Sequence, residues 1–210
     1  MSKLQDVPNI ILEGKAKLTP CVVQEAVDSG IPPKDILNTM IEAMSIVGER
    51  FTRNEIFVPE MLITAKAMKK GVATLKPYLA EGATSAMGKM VIGTVEGDLH
   101  DIGKNLVVMM IESAGFEVID LGVDVTADTF VSTVRENPDT KLVGLSALLT
   151  TTMPAMENIV AELNKQDFRP NIRIMVGGAP ITQEFADRIG ADAYTEDAAT
   201  AAVVAKKLVS

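Results

Sequence analysis

The hydrophobic period of the chain changes near residue 80, and that change governs what it can fold into. Before it, apolar residues recur at helical spacing. Ile36, Met40, Met44 and Val47 fall on one helix face, and Leu62, Ala65, Met68 and Val72 on another. After it, five short β-branched runs, over 90–95, 116–121, 142–148, 172–176 and 193–195, alternate with helical stretches over 105–113, 127–136, 156–164, 182–189 and 198–208. Strands separated by helices pair in parallel, and a parallel sheet must be covered on both faces. The fold class is therefore α/β in the second half and all-helical in the first.

Five strands suit a flavodoxin-like, Rossmann-like sheet of order 2-1-3-4-5 rather than a longer dinucleotide-binding sheet. In the first half, helices are expected over 4–13 and over 17–29, the latter stopped by Gly30. Two more should start at Ile31-Pro32-Pro33 and at Val58-Pro59-Glu60, since proline fits the first helical turn. Four helices with short turns make a bundle. The expected organisation is a helical bundle cap over 1–80, a linker of small residues over 81–88 (EGATSAMG), and an α/β domain over 89–210.

Charge excludes several functions. Twenty basic against 28 acidic residues give a net charge of −8, the reverse of the basic face a nucleic-acid binder needs. Aromatics are 4% with no tryptophan, too few for base-stacking platforms. The only cysteine is Cys21, which rules out an internal disulfide or a multi-cysteine metal site and suits a reducing compartment. No apolar run reaches the roughly 20 residues of a membrane span, and the N-terminus turns acidic before any apolar core. A cytoplasmic protein without nucleic-acid or membrane partners is expected.

Ligands of open parallel sheets bind beyond the carboxyl ends of the strands. The loop after the first strand reads Glu96-Gly97-Asp98-Leu99-His100-Asp101-Ile102-Gly103-Lys104-Asn105. It is not a P-loop: five residues separate Gly97 from Gly103, and Asn105 follows Lys104 where Ser or Thr is required. The dinucleotide fingerprint is absent, and the third strand ends in Ser146 rather than the Asp of a phospho-acceptor domain.

His100 is the only histidine in the chain. Asp98, two residues earlier, is close enough to accept from one ring nitrogen and leave the other more basic, an arrangement found behind metal-binding histidines. One imidazole cannot hold a bare metal ion, so a metal here should arrive with its other ligands supplied, as in a macrocycle.

Asp98-x-His100-x-x-Gly103, Ser146-x-Leu148 and Gly177-Gly178, in that order at the ends of the first, third and fourth strands, resemble the three-part signature of cobalamin-binding domains of the methionine-synthase type. The resemblance is greatest to the free-standing corrinoid proteins of methyltransferase systems. It extends to the helical half, where Phe51 and Ile56-Phe57-Val58-Pro59 resemble the family's cap.

The resemblance implies a cobalamin or related corrinoid bound base-off and His-on, with His100 as the axial cobalt ligand in place of the cofactor's dimethylbenzimidazole. Asp98 would accept from His100, with Ser146 behind Asp98 in a proton relay. Asp101, Ile102, Gly103, Leu148, Thr150, Gly177, Gly178 and Ala198 would complete the cofactor site, with Phe51 and Val58 over its upper face. The implied function is a methyl carrier rather than a complete enzyme. It would accept a methyl group on Co(I) from a substrate-specific methyltransferase and hand it to a second methyltransferase serving tetrahydrofolate or coenzyme M, with a reductive activation protein as a further partner. A cobalamin-dependent sensor is the alternative from another class.

Simpler readings stand beside these. Ser146 could be a strand-end hydroxyl and Gly177-Gly178 a turn. Met40, Met44, Met61 and Met68 read as core packing. Cys21 reads as a buried small apolar residue, with no partner to activate it.

Overall fold

The structure, a computed structural model, describes residues 3–53, 55–79 and 87–209. Its packing divides the chain into two units, Met1–Ala86 with Glu112–Gly115, and Met87–Ile111 with Phe116–Ser210. Of the expected linker 81–88, residues 81–86 lie outside the described residues.

Four α-helices form the first unit: α1 (Lys3–Leu12), α2 (Thr19–Asp28), α3 (Pro33–Thr52) and α4 (Val58–Leu75). Local chemistry sets their limits. Gly30 ends α2 in the left-handed conformation, φ +80°. Its amide donates to Val27 O at 2.9 Å and the next amide, of Ile31, to Ala26 O at 3.3 Å, the paired bonds of a Schellman ending. Pro33 opens α3. At the start of α4 the Glu60 side chain accepts from the backbone N–H of Phe57 at 3.1 Å, satisfying a donor that the helix cannot.

The bundle core holds Val7, Ile11, Val23, Ile36, Met40, Val47 and Met68, so the α3 face read from periodicity is buried. The α4 face is turned by one residue. Met61, Ala65, Met68 and Leu75 are buried, while Leu62 and Val72 are half-buried. Cys21 is exposed, with Sγ 3.6 Å from Glu25 Oε1. The expectation of burial fails because Cys21 lies on the polar side of α2, opposite Val23 and Ala26.

The second unit is a five-stranded parallel sheet of order β2-β1-β3-β4-β5, built from β1 (Lys89–Thr94), β2 (Glu117–Asp120), β3 (Thr140–Ser146), β4 (Arg173–Gly177) and β5 (Ala193–Thr195). Between and after the strands run α5 (Ile102–Ser113), α6 (Ala127–Glu136), α7 (Met153–Asn164), α8 (Gln183–Ile189) and α9 (Ala198–Val209). The order is the flavodoxin-like one expected. The central strands are buried almost continuously, as double-sided coverage requires. Val91, Val143, Leu145, Ile174 and Val176 pack into one core with Phe130 of α6 and Met156 and Ile159 of α7.

The strand ends are in register. Thr94 pairs with Ser146, Ser146 with Gly177, and Gly177 with Thr195. The loops that follow therefore leave the sheet from one row.

Candidate functional site

The first loop of that row is fastened before it reaches His100. Thr94, fully buried, donates its hydroxyl to the His100 carbonyl at 2.8 Å. The Gly97 amide donates to Asp124 Oδ1 at 2.7 Å, and the Asp124 amide to Asp98 O at 3.0 Å. Asp124 takes a positive φ of 54° to do so, a conformation that Asp tolerates better than most residues.

Asp98 is 0% exposed, and a buried carboxylate must find donors. Oδ2 accepts from the Leu148 amide at 2.7 Å, the Leu149 amide at 3.3 Å and the Thr152 hydroxyl at 2.9 Å. Oδ1 accepts from the His100 amide at 3.1 Å and faces His100 Nδ1 at 2.7 Å. Burial by itself raises the carboxyl pKa. The Leu148 amide, the His100 ring and amide, and the Thr152 hydroxyl outweigh it and hold the group well below the usual carboxylate range.

The charge on Asp98 selects the tautomer of its neighbour's neutral ring. An ionised carboxylate only accepts, so Nδ1 carries the proton and Nε2 of the neutral ring carries the lone pair. The imidazole is half exposed. In the same loop Leu99 is 72% exposed and Ile102 80%, and in the loop that Asp98 ties to it Leu148 is 44% and Leu149 40% exposed. Apolar side chains gathered at such exposure mark a binding surface.

The other expected residues fall around the same strand ends. Asp101 and Gly103 are exposed at the start of α5, and a Cβ built on Gly103 meets nothing within 4 Å. Ser146 ends β3, and Thr150 is exposed in a 3₁₀ turn over Thr150–Thr152. Ala198 is half-buried at the first position of α9. Gly178 has a specific structural cause: at φ +127° its Cβ would sit 1.8 Å from Ala147 O, so the fold itself excludes a side chain there. Phe51, half-buried in the last turn of α3, and Val58, 41% exposed at the start of α4, belong to the helical unit.

Ser146 does not stand behind Asp98. The hydroxyl there belongs to Thr152, which sequence reasoning passed over. The 3₁₀ turn carries it back beneath the first loop, whereas Ser146 contributes its carbonyl, accepting from Val95 N at 3.0 Å. The available signal was a threonine just ahead of Met153-Pro154, where a helix start favours a hydroxyl.

Residues 88–204 match the B12 binding domain family model, and residues 4–76 match a second model described as a B12 binding domain. The chain belongs to the B12-binding domain family. Among relatives of this B12-binding chain, dimethylamine corrinoid protein 1 of Methanosarcina acetivorans is 42% identical over 209 residues, covering 99% of this chain and 97% of that one. The crystal structure of a cobalamin-binding protein from Desulfitobacterium hafniense superposes with a TM-score of 0.80 at 30% identity, covering 99% and 98%. The methanol:cobalamin methyltransferase complex MtaBC of Methanosarcina barkeri matches with a TM-score of 0.83 at 29% identity, covering 99% of this chain and 79% of that chain.

The site residues fit a corrinoid. Among the described residues, no three His, Cys, Asp or Glu side chains gather to hold a bare metal ion. Leu99, Ile102, Leu148 and Leu149 are exposed in the two loops that Asp98 joins, and a Cβ at Gly103 would meet open space, apolar and uncrowded surroundings of the kind a macrocycle needs. No helix among the described residues is long and apolar enough to cross a membrane.

Proposed function

We propose that the chain is a corrinoid methyl carrier in which His100 Nε2 is the lower axial ligand to cobalt, bound base-off and His-on. The observation that carries this reading is the 2.7 Å contact between His100 Nδ1 and the buried, ionised Asp98, which leaves the lone pair on Nε2. When bound, the corrinoid supplies the cobalt centre on which a methyl group passes from a substrate-specific methyltransferase to a second one, for tetrahydrofolate or coenzyme M.

The protein's own groups bind, orient and hold a proton. Asp98 keeps the proton on Nδ1 and makes the imidazole a better donor. Thr152 extends that hydrogen-bonded chain on the far side of the carboxylate, in the relay place assigned to Ser146 by resemblance. Asp101, Ile102, Gly103, Ser146, Leu148, Thr150, Gly177, Gly178 and Ala198 border the cofactor. A corrinoid protein and a methyltransferase complex among the relatives support partnership with methyltransferases. A reductive activation protein completes the set.

Because the chain has a single histidine, labelling every histidine with ¹⁵N marks one residue. Protein loaded with cobalamin and reduced to Co(II) should show nitrogen splitting of the cobalt resonance that changes from a triplet to a doublet with the label. His100→Gln should remove the label-sensitive pattern. A pattern indifferent to the label means that the cofactor keeps its own base and His100 is not the ligand.

A further inference from the structure

Lys104 lies in the first turn of α5, and only 2% of its side chain is exposed. Its Nζ donates to Asp120 Oδ2 at 2.6 Å, to Asp120 Oδ1 at 2.7 Å and to Asn105 Oδ1 at 2.8 Å. All three ammonium protons have acceptors.

This is an unfavourable place for a cation. The amino end of a helix carries partial positive charge, and removing an ammonium from water costs several kcal/mol before its partner compensates. An apolar side chain of similar length in such a position is often as stable as a buried ion pair. Packing alone therefore gives little reason for a lysine. What the pair adds is a fixed, directional link between α5 and the end of β2, where Asp120 also accepts from the Gly122 amide at 2.9 Å.

The link continues toward the histidine. Asn105, which accepts from Lys104, donates through Nδ2 to Asp101 Oδ2 at 3.1 Å and through its amide to Asp101 O at 2.8 Å. Asp101 directly follows His100. Besides the Asp124 bonds near Gly97, three ties hold the loop around His100. Asp98 ties it to the loop after β3, Thr94 ties the His100 carbonyl to β1, and Lys104 ties the residues after His100 to β2.

We infer that Lys104, through Asp120 and the Asn105–Asp101 bridge, is a positioning residue that sets the place of the His100 ring; the inference rests on His100 being the cobalt ligand. Without this third tie the α5 end of the loop can shift, and the imidazole loses the placement that ligation demands.

The test uses Lys104→Met and the double variant Lys104→Met with Asp120→Asn. Neither strands a buried charge, because the Asp120 side chain is 35% exposed and Asn105 is exposed. The full chain is labelled with ¹⁵N-histidine, its thermal unfolding followed without cofactor, and cobalamin affinity and Co(II) splitting are then measured. The expected result is one cooperative unfolding transition in each variant, an affinity about 10- to 100-fold weaker, and loss of label-sensitive splitting in the cobalamin that does bind. Label-sensitive splitting retained in the bound fraction overturns the inference, whether affinity falls or not, since Lys104 would then act on stability or on the seat but not on the ring. Wild-type protein lacking the label-sensitive pattern overturns the ligand assignment itself, and this inference with it.

Discussion

The Thr152 hydroxyl reaches Asp98 Oδ2 at 2.9 Å across 54 residues of sequence. Thr152 is buried, so water cannot replace it. Thr152→Val keeps the shape and removes the donor. A hydrogen bond to a buried charge contributes about 1.5 to 3 kcal/mol, and the variant should lose that much in denaturant unfolding. A loss under about 0.5 kcal/mol would show that the Leu148 and Leu149 amides alone satisfy Oδ2.

Asp98 also gives the protein an acid limit. Its folded pKa lies below the usual carboxylate value, so at low pH the unfolded chain binds the proton more readily than the folded one. The resulting stabilisation is complete above about pH 4, the ordinary carboxylate range, and declines as pH falls toward the folded value. Unfolding measured from neutral pH down to about 2.5, below the ordinary Asp range, should show this decline in wild type. Asp98→Asn should be less stable at neutral pH, with the gap narrowing as the pH drops. A gap independent of pH would mean that the carboxylate's charge does not matter.

Two glycines should behave in opposite ways. Gly178→Ala places a methyl group against Ala147 O at a backbone angle that L-residues avoid. It should cost at least about 3 kcal/mol of apo stability. Gly103→Ala enters open space in the first turn of a helix, and should leave apo stability unchanged or raise it by up to about 1 kcal/mol. Its effect should appear only on cobalamin binding, as weaker affinity. A Gly103→Ala protein that binds as wild type does would remove that residue from the cofactor seat.

Much of this was legible because it is periodic or carried by side chains. Alternating β-branched runs and helical stretches lead directly to the parallel sheet, and five strands to its order. Asp98 and His100 meet because they are two residues apart on one loop. Less visible were contacts made by backbone or by distant residues. The Leu148 and Leu149 amides have no side-chain signature, yet they supply two of the donors to Asp98. Thr152 could not be paired with Asp98 before the 3₁₀ turn was known, and the nearer motif residue, Ser146, took its place in the reading. Lys104 and Asp120 lie 16 residues apart on different elements, a pairing that no local pattern announces. The one-residue turn of the α4 face arose because Leu62 and Val72 mark the edge of an apolar stripe whose centre is Met61, Ala65 and Met68.

The aligned row of Thr94, Ser146, Gly177 and Thr195 bears on the order of events during synthesis. These residues span about half the chain and become neighbours only when β1, β3, β4 and β5 have paired. Parallel pairing of distant segments forms late, since loop-closure entropy must be overcome first. Asp98 ties this delay to the site: until the loop after β3 arrives, its carboxylate lacks the Leu148 and Leu149 amides and the Thr152 hydroxyl that fix its place, and the His100 ring that it orients is not yet held. A partly made chain therefore holds no ordered pair of Asp98 and His100, and the pair is set only when the sheet is complete.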